Sequence, residues 1–377
     1  MSRRRISGTK PGRLPLSNDD AEFYVEKKVA EMTSKAKKKK IVIGSALMLL
    51  CVTFQVHGQE VKKVGTTSAA FLRIPVGAKA VAMGSAFTSI ADDGSAMFWN
   101  PGNMASMSKR TLFLHHSPWL PGLDFNYAGF SLPVKGLGVF GINAVSLKSG
   151  EMDITTPEAP MGTGETFTAA STALGIAFAR SLTDRFSIGA QVKYVSERIF
   201  HSNAAAFAFD IGTLFITPFR NIRFGVSVSN MGTKMQMNGE DLNSYVDVAP
   251  SQEGNNEDIV AQLKTDSFDL PIIMRLGLSW DVRMSRGSRL TFACDGVNPN
   301  DNSQSLNVGI EFATWEELII LRGGFNELFL QDREKGLTLG TGFRIPRTGP
   351  FNLEFGYAYQ DFKYLGGVNH ITIELSF

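Results

Sequence analysis

Residues 351–360 read Phe-Asn-Leu-Glu-Phe-Gly-Tyr-Ala-Tyr-Gln, and residues 371–377 close the chain as Ile-Thr-Ile-Glu-Leu-Ser-Phe. In both stretches every second residue is large and apolar, and those between are small or polar. A period of two puts one set on each face of a β-strand. The pattern recurs upstream. Phe186, Ile188, Ala190, Val192 and Tyr194 alternate with Ser187, Gly189, Gln191 and Lys193. Phe224, Val226 and Val228 do the same, as do Leu306, Val308, Ile310 and Phe312, and Leu337, Leu339, Thr341, Phe343 and Ile345.

Fourteen candidate strands follow, over 109–116, 124–133, 136–146, 165–180, 185–200, 204–217, 222–230, 270–282, 289–297, 304–312, 318–326, 337–345, 351–360 and 366–377. Most run about ten residues, the length that crosses a bilayer at a tilt. Their links alternate in length. Residues 134–135, 181–184, 218–221, 283–288, 313–317 and 346–350 are short, whereas 147–164 and 231–269 are long; 201–203 is a short link on the long side. Short turns at one end and longer loops at the other are the asymmetry of outer-membrane barrels. Alternation alone also fits a soluble sandwich, whose apolar faces meet each other. The link asymmetry, the leader described next and the lack of a disulfide framework favour the membrane. The expected fold is therefore all-β, a transmembrane outer-membrane β-barrel of about 14 antiparallel strands over 109–377. Phe377, an aromatic end to an alternating strand, resembles the signal by which the barrel-assembly machinery recognises its clients.

The chain has 377 residues and a formal charge of +2, but the charge is unevenly placed. Residues 1–58 hold 12 Lys and Arg against 5 Asp and Glu, leaving 26 basic and 31 acidic residues in the rest. A basic run of Lys35 and Lys37 to Lys40 precedes the apolar stretch Ile41 to Phe54 and then Val56-His57-Gly58. This is the order of a cleavable secretory leader, with the cut expected before Gln59. The stretch is shorter than the roughly 20 apolar residues of a spanning helix. A chain begun at Met32 would carry an ordinary leader. Cys51 falls within the apolar stretch, which leaves Cys294 alone in the mature chain. The mildly acidic remainder argues against a nucleic-acid partner.

Residues 59–108 do not alternate. Gly77, Ala78, Ala80, Ala82, Gly84, Ser85 and Ala86 are small, Asp92-Asp93-Gly94 and Asn100-Pro101-Gly102-Asn103 are turn signals, and such a stretch can fold back into a narrow space. We expect it to form an N-terminal plug, or hatch. Phe71-Leu72, Gly77-Ala78, Met83-Gly84, Ala91-Asp92-Asp93 and Phe98-Trp99-Asn100-Pro101 resemble the N-terminal segment of the PorV/PorQ family of Bacteroidetes outer-membrane proteins. Leu321-Arg322-Gly323-Gly324-Phe325 resembles a late-strand pattern of the same family. That family is similar to the FadL group of hydrophobic-compound transporters, in which Ala usually follows Asn-Pro where this chain has Gly102. The resemblance implies a hatch carrying Asp92, Asp93, Trp99, Asn100 and Pro101 inside a fourteen-stranded barrel. It further implies a part in type IX protein secretion or surface attachment, with secretion-system proteins or cargo as partners beside membrane lipid. The FadL side implies instead passage of a small hydrophobic molecule.

No catalytic signature is present: G-x-S-x-G, H-E-x-x-H and G-x-x-x-x-G-K-[ST] do not occur, and no metal or cofactor is expected. His115 and His116 are adjacent on a strand, so their rings point to opposite faces and a strand-end, loop-facing pair is expected rather than a metal site. Asp92-Asp93 lacks the alternate-position ligands of a calcium loop, which favours a turn. Asp210, Arg275, Asp281, Glu311, Arg322, Arg344 and Glu354 fall on expected lumen faces, where cross-strand pairing is favoured over a polar path. Trp119, Leu120, Pro121 and Leu123 crowd one outer loop and Leu328, Phe329 and Leu330 another, as contacts for a ligand or a partner. Loop 231–269 is acidic, with Glu240, Asp241, Asp247, Glu253, Glu257 and Asp258, and is expected to be solvated and mobile.

Overall fold

The computed structural model describes residues 64–247, 251, 259–284, 287–330, 333–345 and 351–377. The expected leader and its cut site lie outside them.

Fourteen antiparallel strands close on themselves. They are β1 (Thr111–Leu120), β2 (Leu123–Val134), β3 (Gly138–Ser149), β4 (Ala169–Thr183), β5 (Phe186–Ile199), β6 (Ser202–Ile216) and β7 (Arg223–Gly232). The second half is β8 (Ile273–Arg283), β9 (Arg289–Pro299), β10 (Ser305–Thr314), β11 (Ile319–Leu328), β12 (Lys335–Ile345), β13 (Asn352–Phe362) and β14 (Gly366–Ser376). Every strand pairs with its sequence neighbours, and β14 returns to β1 with Thr111 opposite Ser376. Closure leaves no unpaired edge, which a hydrocarbon surround would penalise. Each candidate strand is met by an observed one, with ends shifted by at most four residues.

The period of two sorts the side chains. Ile142, Leu174, Ile176, Phe207, Leu278, Leu321, Leu339 and Ile371 stand exposed on the outer face, an apolar belt that none of the described residues covers. Such a belt is a lipid-facing surface. One of two two-residue links at the long-loop end joins β1 to β2 through Pro121-Gly122, with Gly122 at φ +76°. Proline before a positive-φ glycine is the chemistry of a type II turn.

The long link after β7 is more ordered than its polarity suggests. Asn243–Val246 pairs with Ile259–Gln262, and Met235–Gln236 with Ser267–Phe268, making a two-stranded ribbon. Met235 is buried inside the barrel. Backbone pairing and one apolar anchor organise these segments, while their side chains are largely exposed, as expected of a solvated loop. Glu253, Glu257 and Asp258 lie outside the described residues.

Candidate functional site

The lumen is occupied by the chain's own residues 67–110. The segment enters at the long-loop end, where Ser68 N–H donates to Asp269 O at 3.0 Å and Asp301 Oδ2 accepts from Thr67 Oγ1 and Arg73 Nη1, both at 2.8 Å. It leaves at the short-turn end, where Arg110 and Phe377 exchange backbone hydrogen bonds at 3.1 and 2.9 Å. Phe377 thus sits where the hatch exits, its ring 6.0 Å from that of Phe351.

Two layers result. At the long-loop end a strap carrying Phe71, Leu72, Ile74 and Val76 packs on inward-facing Phe125, Tyr127, Val145, Ala173, Val195, Ala204, Ala206 and Ala208. The inner wall of β2–β6 is therefore apolar at this level, where the alternation leads one to expect small or polar residues. Alternation fixes which residues point inward, whereas the occupant decides their polarity. Below the strap, Met83, Phe87, Ile90, Met97, Trp99 and Met104 form the hatch's own core.

A girdle of wall glycines seats this lower layer. Gly189, Gly212, Gly225, Gly309, Gly324 and Gly340 each face hatch atoms so closely that a Cβ would stand 2.6 Å or less from one of them. At Gly324 the neighbours are backbone atoms of Met83 and Gly84, which cannot swing aside.

The hatch motif is built from hydrogen bonds. Asn100 Oδ1 accepts the Gly102 N–H at 3.0 Å, capping the turn Pro101–Ser106, in which proline supplies the first position. Its Nδ2 donates to the carbonyls of Thr88 and Thr213, both at 2.9 Å, which joins the hatch to β6. Trp99 Nε1 donates to Val76 O at 2.8 Å. Asp93 Oδ1 accepts from the N–H and hydroxyl of Ser95, and burial pushes this carboxyl up to about 6. Asp92 pairs with Lys79 at 2.5 Å. Burial opposes the charge of Lys79, but Asp92 and then Glu311 outweigh it and raise the ammonium to about 12. The two aspartates serve a turn and an ion pair.

The lumen charges separate into two groups. Near the short-turn end Asp281 pairs with Arg223 at 2.8 Å, and Glu311 with Arg289 and Arg322 at 2.8 and 2.7 Å. Glu354 continues the ladder to Arg322 and Arg344 at 3.2 and 2.8 Å, and Arg344 also meets Glu317. This is cross-strand pairing on the wall from β7 to β13. Asp210 lies apart, paired with Lys193 at 2.8 Å. Arg275 also lies apart, its guanidinium 5.3 Å from the centre of the Trp99 ring.

Two further expectations are corrected. His115 and His116 do point to opposite faces, but they are mid-strand rather than loop-facing. His115 Nδ1 accepts the Gly77 N–H at 3.2 Å, so its proton is on Nε2, 3.2 Å from His370 Nδ1. Trp119 is not an outer-loop tip: it packs inside on Phe362 and His370, with ring centres 5.3 and 6.1 Å away. Leu120, Leu123, Leu328 and Leu330 are half-buried, whereas Phe329 is 82% exposed.

Sequence reasoning missed the wall residues that hold hatch amides. Asp295 Oδ2 accepts from Phe87 and Thr88 at 2.9 and 2.8 Å, and Thr372 from Ala78 at 2.8 Å. Thr338, Glu374 and Glu197 accept from Gly84, Gly94 and Ala69. Their inward register was readable; their partners are backbone groups 128 to 294 residues away, which no local pattern marks.

Two cavities lie beside the hatch. One, of about 80 Å³, opens toward the long-loop end between the hatch and the wall from β8 to β12, and another of about 50 Å³ adjoins Lys79, Asp92, Asp93 and Glu374.

Neither a protein-family model nor a curated protein matches the chain. Among solved structures it is similar to the CymD monoaromatic hydrocarbon channel, with a TM-score of 0.50, 12% identity, and coverage of 80% of this chain and 97% of that one. The Pseudomonas putida toluene transporter TodX gives 0.50 and 11% over the same shares. A Pseudomonas aeruginosa FadL homologue gives 0.46 and 14%, covering 80% and 98%. The PorV/PorQ side of the sequence resemblance has no counterpart among these three. The likeness to CymD and TodX shows the fold: this chain is a membrane β-barrel of the architecture those channels have.

Proposed function

We propose that this protein passes small hydrophobic compounds across the outer membrane of a Gram-negative bacterium, with the long loops outside and the short turns in the periplasm. One observation carries the reading. Toward the long loops the inner wall of β2–β6 is apolar, and what covers it is a strap of the same chain, Phe71 to Val76, held at its start by polar contacts to Asp301, Asp269 and Glu197. A chamber with such walls takes an apolar guest once the strap moves aside. The shared fold with proteins described as a monoaromatic hydrocarbon channel and a toluene transporter supports the same substrate class. The test is uptake of a labelled monoaromatic hydrocarbon by cells with and without the gene. Equal uptake would exclude the proposal for that class.

A second reading has its own observation. The ribbon beyond β7 exposes Tyr245, Ile259, Val260 and Leu263, and Phe329 is exposed on another outer loop. Together with the PorV/PorQ-like hatch motif, this favours a role in type IX secretion or surface attachment in a Bacteroidetes-like cell, with secretion-system proteins or cargo as partners. Deleting the gene and assaying surface display of cargo tests it; normal display would exclude it.

A further inference from the structure

We propose that the 80 Å³ cavity beside the hatch is a binding site for a small oxyanion, built on Arg275. Three cations line it, Arg73, Arg275 and Lys335, against one carboxylate, Glu327. Two of the cations are answered: Arg73 by Asp301 at 2.8 Å, and Lys335 by Glu327 at 3.4 Å. Arg275 is not. It is 6% exposed, donates one hydrogen bond, to Ser229 Oγ at 3.2 Å, and forms no ion pair among the described residues.

The acids in that part of the lumen hold other groups, although Asp295 Oδ1 is buried with no hydrogen-bond partner and its charge, with that of Asp210, attracts Arg275 without an ion-pair contact. Asp210 holds Lys193 and the Asn230 N–H, and Asp295 Oδ2 holds the amides of Phe87 and Thr88. A guanidinium has five N–H donors in one plane and cannot shed its proton, so burying it with one weak neutral partner is costly. The Trp99 ring packs against it, and the cavity adjoins it. A planar fork beside a cavity is the geometry that receives a carboxylate or phosphate through two parallel hydrogen bonds.

The other lining residues suit that guest. Asn302, Ser305 and Asn326 bring amide and hydroxyl groups to the same space. One end of the Asn326 carboxamide is buried without a partner, and turning the amide over makes that end a donor. The cavity holds a compact oxyanion and not a whole hydrophobic compound. Because Arg73 and Trp99 belong to the hatch and Arg275 and Asn302 to the wall, a bound anion bridges the two. The site stands independently of the transport reading.

The test uses the full chain, purified in detergent and titrated calorimetrically with inorganic phosphate, acetate, benzoate and uncharged toluene. Saturable binding of phosphate or acetate is expected, weakened at least about tenfold by Arg275→Gln and partly restored by Arg275→Lys. Phosphate binding tightest identifies a free anion, and benzoate binding well above both acetate and toluene identifies the head group of a larger molecule; each supports the site. Heat-modifiable migration reports whether the variants fold. If Arg275→Gln does not, the double variant Asn302→Ala/Asn326→Ala is expected to weaken the same anion. No saturable binding of any anion, or affinity unchanged by the variant used, overturns the proposal.

Discussion

Asn100 and Gly212 occupy each other's space: a Cβ on Gly212 would stand 2.0 Å from Asn100 Oδ1. The side chain that caps the hatch turn and bonds the Thr213 carbonyl is thus admitted by a missing one on β6. Gly212→Ala should push Asn100 off both partners and destabilise the hatch by about 1–3 kcal/mol, as overpacking does. In planar bilayers the variant is expected to conduct more than the wild type. Wild-type conductance would show that the hatch adapts.

Removing the other member should resemble this. Asn100→Ala deletes three hydrogen bonds and leaves the Thr88 carbonyl with Asn103 alone among side-chain donors. A loss of about 1–3 kcal/mol is expected. Hydrogen exchange should quicken in residues 86–104 and not in the barrel strands.

Asp93 gives a pH dependence whose sign can be worked out. Its ordinary value of 3.8 rises to about 6 in the folded hatch, chiefly through burial. The folded state therefore keeps the proton longer than the unfolded one. The contribution is complete below about pH 4, is lost as pH rises to about 6, and amounts to some 2–3 kcal/mol at most. The check is thermal stability in detergent from pH 4 to 7 for the wild type and Asp93→Asn. Their difference should change across that window. A constant difference throughout would remove the assignment.

The strap predicts a gain of access. Phe71→Ala with Leu72→Ala removes two buried apolar side chains, each worth about 2–5 kcal/mol to the packing of the chamber. Uptake of a hydrophobic probe should rise while the barrel still shows heat-modifiable migration. Reduced uptake would mean that the strap guides the guest instead of holding its place.

The belt predicts where lipid lies. Ile176 is 69% exposed on the outer face. Ile176→Lys should cost about 2–4 kcal/mol if it sits near the bilayer midplane. A neutral effect in lipid refolding would place the belt elsewhere.

The barrel was legible because a closed sheet in lipid demands strict alternation, and stretches such as 351–360 obey it without exception. Arg322 and Glu354 could be assigned to the inner face for the same reason, and they do pair. The apolar wall of β2–β6 was not legible, since nothing in the sequence accounts for Val145 and Val195 on an inward face until the strap that covers them is seen. Trp119 was misplaced because a residue near a loop in sequence can still point down into the barrel. Thr372 and Asp295 gave no signal at all: each serves a hatch group more than 200 residues upstream, and local periodicity contains no information about such pairs.

The glycine girdle also bears on how such a barrel can change. Where backbone meets backbone around the wall, the cross-section of the hatch and the circumference of the barrel define one another. A wall with a hairpin added or removed would leave gaps or collisions at Gly212, Gly309 and Gly324 together, and no single substitution could repair them. The hatch therefore acts as a gauge for strand number. A barrel closed around this hatch is expected to keep its fourteen strands, with room for change in the loops.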